Sequence, residues 1–327
     1  MPTLPRVLVT LRMPLEHLAP LDGIAEIDMS PHEYRLMTSE EVGRALPGCA
    51  AILSQGELRV DEALLALEPG LRIVANAAMG YDNLDIPALT QRGIWATNTP
   101  DAFVESSADL TLGLLLSLVR NIVTGDHHVR AGEWSSQGFQ PVRWEGMLLG
   151  GKTLGMVGYG RIAQAVEKRA LAFGMKVLHT RSRPGAAPGP NHRSLSELLA
   201  ESDVVSLHVP LNPTTRHLIN ADTLGQMRPG AILLNVSRGS VVDEPALIST
   251  LRSGHLAGAG LDVFEREPHA SPELFPMSNV VLTPHLGGST REDRAGGRRL
   301  AAENVAAVLR GEIPPNALNS VSLRADG

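Results

Sequence analysis

Short runs of aliphatic and β-branched residues alternate with stretches of helical periodicity along most of the chain. That alternation predicts parallel strands covered by helices. In the first hundred residues the strand-like runs are RVLVT (6–10), AEIDM (25–29), AAILS (50–54), RIVANA (72–77) and IWATN (94–98), with helical stretches such as 61–67 between them. NTPDAF then interrupts the rhythm. An apolar pattern over 104–131 predicts one long helix, followed by the polar loop GEWSSQGFQPVRWEG.

A second series opens at Lys152. Its expected strands are 152–158, 176–180, 203–209, 231–237, 258–263 and 280–285, and its helices fall near 161–173, 194–201, 221–227 and 244–252. The second sheet is complete before the last helix, 290–310, which is therefore expected to return to the first domain. The fold expected is α/β with two Rossmann-like domains and a cleft between them. Residues 1–100 and 290–327 form a flavodoxin-like substrate domain, and 101–289 the dinucleotide-binding one. RPGAAPGPN (183–191) reads as a surface loop, because the strand–helix rhythm resumes directly after it.

Composition narrows the function classes. A chain of 327 residues suits two domains. A net charge of −6 and an aromatic content of 3% argue against nucleic-acid binding, which needs basic excess or stacking platforms. Cys49 is the single cysteine, so neither an intrachain disulfide nor a Cys-rich zinc site is expected. No metal site, secretory signal or bilayer-spanning stretch is legible, and a cytoplasmic enzyme with no membrane partner is expected.

The segment GMVGYGRIAQAVEKRALAFGMKVLHTRSR carries the cofactor argument. An apolar strand ends at Gly158-Tyr159-Gly160 and a helix opens at once with Arg161-Ile162-Ala163. Glycines allow a tight turn and close approach of a pyrophosphate, and the helix start offers unpaired N–H groups. About 20 residues on, where an NAD site commonly has a carboxylate for the ribose 2′-OH, stands Arg181-Ser182-Arg183. Two guanidiniums there suit a 2′-phosphate, so NADPH is the expected cofactor, with NADH the weaker alternative; otherwise these arginines only solvate a loop.

Arg238, Glu267 and His285 lie in NVSRGSVVDE, LDVFEREP and TPHLGGST, each a strand running into a turn. Together they suit reduction of a 2-keto acid. The guanidinium holds the carboxylate and polarises the keto oxygen, the imidazole protonates that oxygen, and the carboxylate keeps the imidazole oriented and charged. His127 and His128 read as a solvated or interface pair, His208 as core or cleft-lining, and His217 as structural. Asp109 reads as a polar helix residue. Trp134 and Trp144 read as packing, pocket or interface residues.

The chain resembles the D-isomer-specific 2-hydroxyacid dehydrogenases, particularly the glyoxylate/hydroxypyruvate reductase branch. The resemblance is carried by VANAAMGYDNLD, NTPDAFVESSADLTLGLLL, GKTLGMVGYGRIA, LNPTTRHLIN, MRPGAILLNVSRGSVVDEPAL, GAGLDVFEREP and LTPHLGGST. It implies that Arg238, Glu267 and His285 are catalytic. It also implies that Thr111, Pro210, Ser237, Asp262 and Gly287 line the cofactor, and that the backbone of Met79-Gly80 holds the substrate carboxylate. A small 2-keto acid is the substrate so implied. The long helix implies a homodimer. HLGGST departs from the HIGSAT-like run of glyoxylate reductases, while Arg181 and the short tail depart from the phosphoglycerate dehydrogenase branch. Other keto acids, such as 2-ketogluconate, a hydroxyphenylpyruvate-like acid or the 3-phosphoglycerate-type substrate, remain alternatives. So does a dinucleotide-sensing, co-repressor-like binding protein.

Overall fold

The computed structural model describes residues 3–180 and 189–321. The chain divides into two compact units, one of Met1–Phe103 with Thr290–Gly327 and one of Val104–Ser289.

The first unit holds a five-stranded parallel sheet: β1 (Arg6–Val9), β2 (Glu26–Met29), β3 (Cys49–Ser54), β4 (Ile73–Asn76) and β5 (Trp95–Thr97), in the order β2-β1-β3-β4-β5. Each expected strand is present. The central ones are buried on both faces, which is why they read as continuous apolar runs rather than alternating ones. One face is covered by the C-terminal helix Arg291–Leu309, whose Ala301, Ala302, Val305 and Val308 pack with Val7, Val9, Leu53 and Ile73. Small alanines on that stripe let a long helix lie close to the sheet. The opposite face packs Leu8, Ile52 and Val74 against Leu46, Leu65 and Leu89.

The second unit holds β6 (Thr153–Val157), β7 (Lys176–His179), β8 (Val204–Leu207), β9 (Ala231–Asn235), β10 (Leu256–Leu261) and β11 (Val280–Leu282). The order is β11-β10-β9-β8-β6-β7, all parallel. The order reverses beside β6, and α/β sheets of this kind bind ligands outside the strand ends at such a switch point. Both units are Rossmann-like α/β sheets.

One expectation needs correcting. The apolar stretch 104–131 is not a single helix: Val104–Val119 ends at Arg120–Asn121, and Ile122–Arg130 starts at an angle of 61° to it. Asn121 adopts φ 53°, the left-handed region, where the α-helical hydrogen-bond ladder cannot continue. Asn is one of the few non-glycine residues that tolerates this conformation, and hydrophobic periodicity carries no signal of it. Among the described residues no single helix is long and apolar enough to cross a membrane; the bent pair passes by length and composition, but much of its first helix is buried in the second core.

Candidate active site

Strand β10 runs out at Leu261, and Asp262 follows it, 1% exposed. Its carboxylate gathers the chain beyond β11. Oδ1 accepts from the Thr283 hydroxyl at 2.6 Å and the Leu286 N–H at 2.7 Å, and Oδ2 accepts from the Gly287 N–H at 2.8 Å. The Asp262 carbonyl takes the His285 N–H at 2.9 Å. This clamp holds His285 at φ 54°, a left-handed conformation that costs an L-residue about 1–2 kcal/mol. Burial pushes the Asp262 pKa up, against the pull of those donors.

In that conformation His285 Nδ1 meets Glu267 Oε2 at 2.8 Å. The other carboxylate oxygen of Glu267 accepts the Phe264 N–H at 3.1 Å, so the carboxylate is held at both ends. The hydrogen bond to Glu267 raises the His285 pKa, ahead of the opposing effect of burial. Burial pushes Glu267 upward, but the bond to His285, that residue's charge, the Phe264 N–H and the Arg238 charge outweigh it and lower its pKa. Both shifts favour an imidazolium–carboxylate pair over the neutral one.

Arg238 stands on the turn after β9, in extended backbone with φ −140°. Asn235, 1% exposed at the end of that strand, shapes the turn: its Oδ1 accepts the Ser237 N–H at 3.1 Å and the Ser237 hydroxyl at 2.9 Å, and its Nδ2 donates to the Arg238 carbonyl at 3.0 Å. The next residue, Gly239, lies so near the Glu267 loop that an added Cβ would fall 1.9 Å from the Phe264 carbonyl carbon and oxygen. Arg238 is close enough to influence the charge of both His285 and Glu267. The three residues singled out in the sequence therefore come together in one unit. Sequence reading missed Asn235 and Gly239. An Asx residue two positions before a serine at a strand end is the signal that could have found the first.

The turn after β6 fits a dinucleotide phosphate. Gly158 adopts φ 93°, and a Cβ there would sit 2.6 Å from the His208 carbonyl oxygen, so only glycine is accommodated. Among the described residues nothing would lie within 4 Å of a Cβ on Gly160, at the start of the Arg161–Ala172 helix. Among the described residues no side chain caps that helix, and the start of a helix suits an anion. Tyr159 stacks on His179 with ring centroids 3.8 Å apart and bonds to Glu167; burial raises its pKa to about 12. Thr180 accepts the Gly158 N–H at 2.9 Å, tying the tip of β7 to this turn. Arg181, Ser182 and Arg183 lie outside the described residues.

Thr111 is 1% exposed and its hydroxyl donates to the Ser107 carbonyl at 2.7 Å, and the Ser107 hydroxyl donates to the Gly287 carbonyl at 3.2 Å. Pro210 is exposed, and its carbonyl accepts from Thr215 at 2.6 Å. In the first unit, Met79 and Gly80 follow β4. Their carbonyls accept from Asn98 at 2.7 Å and Asn76 at 3.1 Å, and among the described residues no hydrogen bond is donated by the N–H of either.

Of the other polar residues singled out in the sequence, His128, His208, His217 and Asp109 have structural partners. His128 is buried and bonds to Glu133 at 2.7 Å, whereas His127 is exposed. His208 is held neutral by burial, which lowers its pKa to about 4. His217 bonds to Glu265 at 2.8 Å, and Asp109 to Arg169 at 2.7 Å. No cluster of three or more metal-ligating side chains occurs among the described residues.

Residues 112–287 match the family described as D-isomer specific 2-hydroxyacid dehydrogenase, NAD binding domain. The chain belongs to the D-isomer-specific 2-hydroxyacid dehydrogenases. It is thus an oxidoreductase that uses a nicotinamide dinucleotide. Glyoxylate reductase of Thermococcus litoralis is 44% identical to this dehydrogenase over 96% of the chain and 97% of its own length. That of Pyrococcus furiosus is 43% identical over 99% and 98%. A solved NADPH-dependent glyoxylate/hydroxypyruvate reductase from Sinorhizobium meliloti, in complex with NADP and malonate, superposes with a TM-score of 0.85 at 32% identity, covering 99% of both chains.

Proposed function

We propose that this dehydrogenase reduces small 2-keto acids, chiefly glyoxylate and hydroxypyruvate, to D-2-hydroxy acids, with NADPH preferred over NADH. The observation that carries this reading is the 2.8 Å bond between His285 Nδ1 and Glu267, on a turn that leaves the imidazole half exposed. The names of the relatives support the same substrate class.

With Nδ1 engaged by Glu267, Nε2 of His285 is the atom left to deliver a proton to the keto oxygen. Arg238 binds the substrate carboxylate and polarises the carbonyl, and the N–H groups of Met79 and Gly80 are donors for the same carboxylate. The reduced nicotinamide, when bound, supplies the hydride to the carbonyl carbon. Hydride and proton together convert the keto group to a hydroxyl, and Glu267 stabilises the imidazolium until its proton leaves. Gly158, Tyr159, Gly160, Arg161 and Ile162 would cradle the pyrophosphate, Thr111, Pro210, Ser237, Asp262 and Gly287 would line the cofactor, and Arg181, Ser182 and Arg183 would take the 2′-phosphate.

Initial rates with NADPH and NADH against glyoxylate and hydroxypyruvate test this directly. We expect kcat/KM to favour NADPH by about tenfold or more, the value of one charge-assisted contact. Arg181→Asp should reverse the preference. Equal use of both cofactors removes the role given to Arg181, and no turnover of either acid removes the substrate assignment.

The enzyme is also proposed to be a homodimer. Ile122, Val129, Trp134, Phe139, Val142 and Leu148 are exposed apolar residues within 122–148, and a second copy of the chain would cover them.

A further inference from the structure

In the first unit, β3 leads into Gln55 and β4 into Ala77–Gly80, and the Arg291–Leu309 helix packs against both strands. Arg298 lies on that helix, partly buried. Among the described residues no carboxylate forms an ion pair with it; its one partner is Gln55, whose Oε1 lies 3.4 Å from both Nε and Nη2. Gln55 is itself steadied by donation from its Nε2 to the Ala77 carbonyl at 3.4 Å, in the segment that continues into Met79 and Gly80. Burial and the neighbouring charge of Arg294 both disfavour the cation. A partly desolvated cation without a counter-charge is unfavourable on its own, so the position suits an anion that completes it.

Gln55 takes only one edge of the guanidinium. Of its five N–H donors, Gln55 engages the Nε–Nη2 side, leaving the Nη1–Nη2 end to a ligand. That planar fork matches the paired oxygens of a carboxylate or a phosphate. It also lies at the carboxyl ends of parallel strands, where folds of this class hold ligands.

We infer that Arg298, positioned by Gln55, recognises a second anionic group on the substrate, a carboxylate or phosphate at the end of the keto acid remote from the reacting carbonyl. This rests on the reading that the enzyme reduces 2-keto acids held at Met79–Gly80. It extends the substrate class from monoanions such as glyoxylate to dianionic keto acids.

The test compares wild type with Arg298→Gln and Arg298→Lys on glyoxylate, oxaloacetate and 3-phosphohydroxypyruvate. Arg298→Gln should lose about tenfold or more in kcat/KM on a dianion, mainly through KM, while glyoxylate changes by less than about twofold. Arg298→Lys, which keeps the charge but not the fork, should fall between. The carboxylate and phosphate arms distinguish the two anions. An equal loss on glyoxylate, or wild type that takes glyoxylate and neither dianion, overturns the inference while leaving the keto-acid reading intact. Thermal-shift titration with malonate and with inorganic phosphate separates the two readings further. If no keto acid is turned over, the reductase reading fails, and stabilisation by these anions in wild type but not in Arg298→Gln decides the anion site alone.

Discussion

At the scale of single residues, the proton donor is defined by what Glu267 does to His285. Its hydrogen bond raises the imidazole pKa above the ordinary 6.5. Reduction needs the protonated form, so kcat/KM for keto-acid reduction should hold constant below that raised pKa and fall as pH rises through it. Glu267→Gln removes the charge that favours the imidazolium and should move the falling limb to lower pH, with kcat lowered more than KM is raised. A profile flat from pH 6 to 9 would show that another group supplies the proton. Asp262 acts differently, through the backbone it gathers. Asp262→Asn keeps the size but presents an NH2 group to N–H donors, so at least one of three bonds is lost and His285 is released from its left-handed conformation. A loss of about 1–3 kcal/mol in unfolding stability, by denaturant titration, should accompany a larger fall in kcat than in affinity for the keto acid. Arg238, Glu267 and His285 were legible in the sequence because each follows an apolar run with a turn. The clamp was not, since Asp262 reads as one more residue at a strand end until the chain from 283 to 287 is folded back onto it.

At the scale of elements, the parallel strands were legible because burial on both faces gives uninterrupted apolar runs. Their neighbours were harder to read. Nothing in LLLSLVRNIVTG marks where Val104–Val119 stops, because the break needs no proline or glycine, only an asparagine willing to adopt φ 53°. Gly239 was equally silent. Its φ is not unusual, and its role is to let the Arg238 turn and the Glu267 loop touch. A methyl group at that point must separate the two. Gly239→Ala should therefore cost about 2 kcal/mol or more in stability and most of the activity. The informative measurement is the pH profile of any residual turnover, which should shift toward that of Glu267→Gln as the His285 environment is disturbed. If Gly239→Ala melts and turns over like wild type, the contact does not couple the two loops.

At the scale of the whole molecule, Phe139, Val142 and Leu148 are each more than three-quarters exposed. Sedimentation equilibrium should give twice the chain mass, and a Val142→Asp, Leu148→Asp double variant should sediment as a monomer with its fold retained. A monomeric wild type would leave that surface without its proposed partner. The chain also visits the first unit twice, leaving at Phe103 and returning at Thr290. Its five strands are synthesised before the intervening unit, and the helix that closes one face of their sheet only after it. During translation Val7, Val9, Leu53 and Ile73 must wait, uncovered, while the whole intervening unit emerges and folds as a contiguous block. An apolar sheet face therefore stays open for that whole interval, which makes these strands, rather than the contiguous unit between, the segment most prone to aggregate during translation.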